Sequence, residues 1–153
     1  MSQRKPRGMY FEELEVGTEI VSVGRTITET DVVNFAGLSG DYNQIHTDQT
    51  HAEEAGFGQR VAHGLLVLSV ASGLAVQTGF MEGTVMAFRD LDTKFSAPVF
   101  FGDTIFVTLQ VTELKALAKL GGGQVKLKVT IRNQKNKAVQ KGIWTMLIKS
   151  KPN

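Results

Sequence analysis

The residues best equipped for chemistry in this 153-residue sequence lie between Gly40 and Gly64. Asp41 and His46 stand five apart, and all three histidines, His46, His51 and His63, fall in this stretch. A spacing of five points two side chains to different faces of a regular helix, so a loop is the expected carrier of the pair. A carboxylate and an imidazole brought together beside an apolar cavity can hold one water between them, and burial moves both toward neutrality. Each also has an ordinary use of its own: Asp41, after Ser39-Gly40, as a turn former or cap, and His46 as a partly buried, hydrogen-bonded side chain. Gly64 adds a third element. At the start of a helix its N–H has no intrahelical partner, points along the positive end of the helix dipole and is not obstructed by a Cβ, so it can hold a carbonyl oxygen that gains negative charge. The plainer use of such a glycine is close helix–sheet packing, a role that Gly73 fills equally well.

These groups need elements to position them. Thr28, with Asp31 three residues on, reads as a capping box, and Val32, Phe35 and Ala36 give the spacing of a helix face that Gly37 and Gly40 terminate. Asp48 caps a second short helix ending near Gly56, a natural left-handed cap. No charged residue occurs over 65–80; the pattern predicts an apolar helix over 62–77, enclosed by other structure. It is interrupted by Ser69, Ser72, Gly73, Gln77 and Thr78 and is shorter than the roughly 20 residues of a membrane span. Before these helices, Gly17 marks a turn ahead of a strand over 19–25. Beyond Gly83 the period becomes two: Ile105, Val107, Leu109 and Val111 alternate with polar or outward positions, as do Val125, Leu127, Val129 and Ile131. Segments 84–95 and 139–149 are also strand-like, with a turn at 135–137. Strands and helices do not alternate regularly, so the expectation is an α+β architecture: an antiparallel sheet of five or six strands curled around one buried helix.

Composition bounds the function. With 42% hydrophobic and 21% charged residues the chain reads as a single soluble globular domain over 1–153, with 1–8 a flexible tail. A net charge of +2 and scattered cations give no nucleic-acid signature; the sequence pI near 8.9 is compatible with an anionic small ligand. Zero cysteines excludes disulfides and thiolate zinc sites and suits the cytoplasm. No apolar segment follows the basic N-terminus, so no signal peptide is expected.

Taken together, several blocks resemble the MaoC-like, or (R)-specific hydratase 2, branch of the hot-dog superfamily. They are Phe11-Glu12-Glu13-Leu14-Glu15-Val16-Gly17, Ser39-Gly40-Asp41-Tyr42-Asn43-Gln44-Ile45-His46-Thr47-Asp48, Phe57-Gly58, Val61-Ala62-His63-Gly64-Leu65, Ser72-Gly73-Leu74, Phe95-Ser96-Ala97-Pro98-Val99-Phe100-Phe101-Gly102-Asp103 and Asn133-Gln134. Asp-x4-His followed by Ala-His-Gly is the specific part; Gln44 departs from a proline common in the family. The resemblance implies a hot-dog fold and hydration of 2-enoyl thioesters of coenzyme A or acyl carrier protein to (R)-3-hydroxyacyl thioesters. Carried over, Asp41 and His46 form the catalytic dyad, Asn43 braces the loop, Gly64 donates to the thioester carbonyl, Ser72 hydrogen-bonds within the site, and Phe57, His63 and Leu65 contact substrate. No metal or redox cofactor is implied. A homodimer is, with the pantetheine arm running along the helix.

Three other readings compete. His46, Asp48 and His51, with His63 nearby, resemble a metal-ligand spacing, but Asp48 is better explained as a cap and His51 as a solvated helix residue. A hot-dog thioesterase commonly carries an acid in or near the central helix, whereas no acid occurs between Glu54 and Glu82. A non-catalytic thioester-binding subunit would be expected to lose Asp41 or His46. Phe57, Leu65, Leu66, Leu68 and Phe80 are the side chains that could shape an acyl pocket, and Arg89 and Lys94 are cations available on a strand.

Overall fold

The computed structural model describes residues 7–152. Its elements run β1 (Glu19–Val21), β2 (Arg25–Thr26), α1 (Glu29–Ser39), α2 (Gln44–Thr47), α3 (Gln49–Glu54), α4 (Gly64–Gln77), β3 (Val85–Phe95), β4 (Thr104–Leu117), β5 (Gly122–Asn133) and β6 (Ala138–Lys149). The strands form one six-stranded sheet in the order β1-β4-β5-β6-β3, with β2 also on β4. Every pairing is antiparallel.

The period-two alternation places Ile105, Val107, Leu109 and Val111 of β4 and Val125, Leu127, Val129 and Ile131 of β5 on the inner face. There they meet Leu66, Val67, Val70, Ala71 and Leu74 of α4 and Trp144 and Met146 of β6. Each aliphatic side chain so enclosed contributes roughly 1.5–3 kcal/mol, and this packing, rather than helix propensity, holds α4 in the fold. Enclosure is one-sided, however: Leu65 is 59% and Val76 60% exposed. The all-round apolar pattern predicted a helix covered on every side, and in the single chain one stripe is left bare.

Several boundaries differ from expectation for identifiable reasons. The strand expected over 19–25 is two strands because Ser22 intervenes: its Oγ accepts from the Val107 N–H while its own N–H donates to the Val107 carbonyl. α1 runs through Gly37 and stops at Gly40, whose φ of 75° is the left-handed cap. α4 starts at Gly64 rather than at residue 62, since Val61 forms a bridge with Phe100 and the Ala62 N–H donates to the Val99 carbonyl. Most of the tail expected over 1–8 lies outside the described residues. Arg7 and Gly8 do not behave as a tail: Arg7 pairs with Glu82 at 2.5 Å and the Gly8 N–H donates to the Glu82 carbonyl. The last hairpin turns where expected, with Asn136 at φ 59° and Asn133 Oδ1 accepting from the N–H groups of Lys135 and Lys137. No helix among the described residues is long and apolar enough to cross a membrane.

Candidate active site

α1 delivers the chain to the site. Thr28 and Asp31 form the capping box at its start, and Arg25 pairs with Asp31 at 2.6 Å. After the Gly40 cap, the Asp41 N–H donates to Ser39 Oγ, and Asp41 Oδ1 accepts from the Asn43 N–H at 3.2 Å. Asn43 in turn caps α2, its Oδ1 accepting from the Ile45 N–H. This cap starts a one-turn helix without the stiffening of a proline at position 44. Asp41 therefore stands on a loop, as expected, but His46 is carried by α2.

His46 is 8% exposed, and its Nδ1 lies 2.7 Å from the Val61 carbonyl. A carbonyl only accepts, so Nδ1 carries the proton and Nε2 is left with its lone pair. Burial pushes the imidazole below its ordinary value. The bond to Val61 opposes this, the neighbouring His63 ring adds to it, and the Asp41 charge opposes it. His63, 2% exposed, stacks on His46 with ring centroids 3.8 Å apart, and its Nε2 is 2.9 Å from the Asp41 carbonyl oxygen. The same chemistry assigns that proton to Nε2, so His63 ties the Asp41 loop to the start of α4.

A carboxylate oxygen of Asp41 and one ring nitrogen each of His46 and His63 lie within 4.8 Å of one another. One water making two hydrogen bonds of about 2.8 Å bridges such a separation. Among the described residues these are the groups close enough to share an ion; with His46 Nδ1 and His63 Nε2 each engaged by a carbonyl, the ring atoms left with a lone pair are His46 Nε2 and His63 Nδ1. Asp48 is not among them: its Oδ1 caps α3 by accepting from the His51 N–H.

All three groups face a cavity of about 560 Å³ lined by Asp41, His46, Phe57, His63, Gly64, Leu65 and Phe95, with 96–99 and Gln140. Gly64 is the first residue of α4, and its N–H has no hydrogen-bond partner among the described residues. A Cβ there would stand 2.6 Å from the Phe95 ring.

The structure thus brings together Asp41, His46, Gly64, His63, Phe57 and Leu65, with Asn43 beneath the loop. Ser72 is not brought in. It is exposed, its hydroxyl donates to the Ser69 carbonyl, and it lines a second, apolar hollow with Trp144 and Met146. Leu66 and Phe80 belong to the core rather than to this cavity, and Leu68 to a crevice beside Trp144. Phe95 stands in a family block without a role of its own, and Gln140 stands outside every block. Their partners are 31 and 76 residues away, on Gly64, and no local pattern reports such a contact.

A long antiparallel sheet curled around one helix is the hot-dog fold. A Mycobacterium tuberculosis protein described as a double hotdog fold superposes with a TM-score of 0.84 at 19% identity, covering 98% of this chain and 47% of that one. Residues 13–133 match the MaoC like domain, and the chain belongs to that family. Among its relatives, Protein MaoC of Klebsiella aerogenes is 42% identical over 104 residues, 68% of this chain, so the match spans only 31% of that longer protein. The 3-hydroxybutyryl-CoA dehydratase of Methylorubrum extorquens is 40% identical over 109 residues, 71% of this chain and 67% of the relative. The (R)-specific enoyl-CoA hydratase of Rhodospirillum rubrum is 38% identical over 105 residues, 69% of this chain and 71% of the relative. The R-hydratase PhaJ1 of Pseudomonas aeruginosa superposes with a TM-score of 0.79 at 29% identity, covering 94% of this chain and 88% of that one.

Proposed function

We propose that this protein reversibly adds water to trans-2-enoyl thioesters, giving (R)-3-hydroxyacyl thioesters. The observation that carries this reading is the convergence of Asp41 and His46 within 4.8 Å beside the unpaired Gly64 N–H. The thioester carbonyl accepts from Gly64, which draws charge onto its oxygen and leaves the β-carbon electrophilic. Asp41 and His46 hold one water. His46 Nε2, bare because Nδ1 is committed to Val61, takes a proton as the water oxygen bonds to the β-carbon. The C2=C3 pair shifts toward the carbonyl, and the proton returns from the dyad to the α-carbon, so one O–H is added across one C=C. The stacked His63 ring and its bond to the Asp41 carbonyl keep the two groups in register.

The names of the relatives support a coenzyme A thioester, and acyl carrier protein presents the same pantetheine arm. A homodimer belongs to the same reading. β3 ends the sheet with its outer edge unpaired among the described residues; it exposes Val85, Met86, Phe88 and Leu91, the first three of which line one hollow with exposed Val76 of α4. An apolar edge of this length is ordinarily covered, and a second copy covers it by pairing β3 with β3.

The test is to mix the protein with crotonyl-CoA while following the enoyl-thioester absorbance and free thiol together. Loss of the band without thiol is the expected result. Thiol release would make the protein a thioesterase, and an unchanged band across a panel of chain lengths would make it a binding subunit.

A further inference from the structure

Gly64 is held from two sides by a pair of residues that face each other across two strands. Phe95 of β3 and Gln140 of β6 are register partners. The Phe95 ring lies against the Gly64 α-carbon so closely that a Cβ there would force the ring to shift, and Gln140 Nε2 donates to the Gly64 carbonyl at 2.8 Å. Because a carbonyl cannot donate, the side-chain amide can sit only one way round, and its Oε1 is forced to face elsewhere. Gln140 is 3% exposed, and Oε1 is buried with no partner among the described residues. A buried acceptor without a donor opposes folding. A methionine or leucine would fill the position without that cost, so the glutamine is poorly explained by stability alone.

We propose that Gln140 is a positioning residue for the carbonyl-binding amide. Glycine at the first helical position has more backbone freedom than any other residue, and a helix start lacks the hydrogen bonds that fix the interior. Anchoring the Gly64 carbonyl to β6 fixes the peptide that follows Gly64. With Phe95 closing the other side, the Gly64 N–H is left pointing into the cavity at a set angle. The bond also polarises the Gly64–Leu65 peptide, whose N–H is likewise at the open start of α4. In this arrangement Gln140 acts through its bond to Gly64. The inference rests on the reading of Gly64 as the donor to the thioester oxygen.

Gln140→Met, close in shape, removes both the donor and the unpaired acceptor, and Gln140→Asn keeps an amide one methylene too short to reach Gly64. For each variant, the thermal midpoint, kcat and KM on crotonyl-CoA, and the red shift of a bound 2,4-hexadienoyl thioester are measured. That shift reports how strongly the carbonyl is polarised. The expected result for Gln140→Met is a kcat lower by roughly ten- to a hundredfold with KM within about twofold, a diminished red shift and a thermal midpoint no lower than wild type. A lowered midpoint with wild-type kcat and wild-type red shift would make Gln140 merely structural and overturn the proposal. Should Gln140→Met fail to fold, Gln140→Asn decides by the same readouts. A wild-type protein that leaves every enoyl thioester unchanged would overturn the hydratase reading instead, and the dienoyl shift, equal or unequal between wild type and variant, would still decide the role of Gln140.

Discussion

His46 is held neutral with Nε2 bare by its own hydrogen bond and by burial, and under the proposed reaction this has two consequences in opposite experiments. Its imidazole titrates below the ordinary value near 6.5. The bare form therefore persists as pH falls, and the acid limb of kcat/KM is expected below pH 6.5. Stability runs the other way. Between the ordinary value and the depressed one, the unfolded chain takes up a proton that the folded chain refuses, so stability is fully present above about pH 6.5 and is lost as pH falls through that window. Urea midpoints from pH 7.5 downward check this: the wild type is expected to lose stability more steeply than His46→Gln, and parallel curves would show that His46 is not the group responsible. Gly64→Ala forces a methyl against the Phe95 ring. Phe95 is an exposed side chain able to swing aside, so the expected cost is about 1 kcal/mol of stability but at least a tenfold loss of kcat/KM, read by denaturation and steady-state kinetics. At this scale the reactive types and their spacing were legible in the sequence. The Val61 carbonyl that sets the His46 tautomer was not, since a backbone atom 15 residues away leaves no mark on residue type. Ser72 shows the converse: a residue type that suits the site sits on the exposed face of α4, bonded to its own helix.

The elements matter through their ends. α1 is stopped at Gly40 and started by the Thr28–Asp31 box, and Asp41 follows directly. Thr28→Ala removes the cap and is expected to lower stability by about 1 kcal/mol while leaving kcat within about twofold, because the Asp41 turn keeps its own bonds to Ser39 and Asn43. Chemical denaturation and the crotonyl-CoA assay check the two halves. Caps and strand alternation could be read from sequence because they depend on neighbours within a few residues. The four-residue α2 and the splitting of the first strand at Ser22 could not. The first is fixed by packing against the strap at 61–62, whose Val61 N–H donates to the Ile45 carbonyl. The second depends on a hydroxyl that replaces a backbone partner on β4. Asp103 and Gln134 also find their place at this scale. Gln134 Nε2 donates to Asp103 Oδ1, and Asp103 Oδ2 accepts from the Phe100 N–H, so these residues hold the turn that positions 96–99 along the cavity.

At the scale of the whole molecule, the sheet ends on one side in the short β1 and β2 and on the other in the 11-residue β3, and Ser72, Gly73 and Val76 of the bare stripe of α4 lie beside that long edge. Val76→Glu places a charge on the stripe away from the cavity. It is expected to convert a dimer into a monomer by sedimentation at micromolar concentration; a monomeric wild type would contradict the pairing. The fold class could be inferred from periodicity because one buried helix and a long antiparallel sheet admit few arrangements. The uncovered face of the helix was legible in part: Ser69, Ser72, Gly73 and Gln77 mark it, while Leu65 and Val76 on the same face are as apolar as the residues beneath.

In the proposed reaction Asp41 and His46 act as one unit on one water, and a double-mutant cycle separates that from two independent contributions. Turnover of crotonyl-CoA is measured for wild type, Asp41→Asn, His46→Ala and the combined variant, each checked for an unchanged fold. Either single change is expected to cost about 10²–10⁴-fold in kcat, with the double variant scarcely slower than the worse single one. Near-normal turnover in either single variant, or losses that simply multiply in the double, would contradict their acting as one unit.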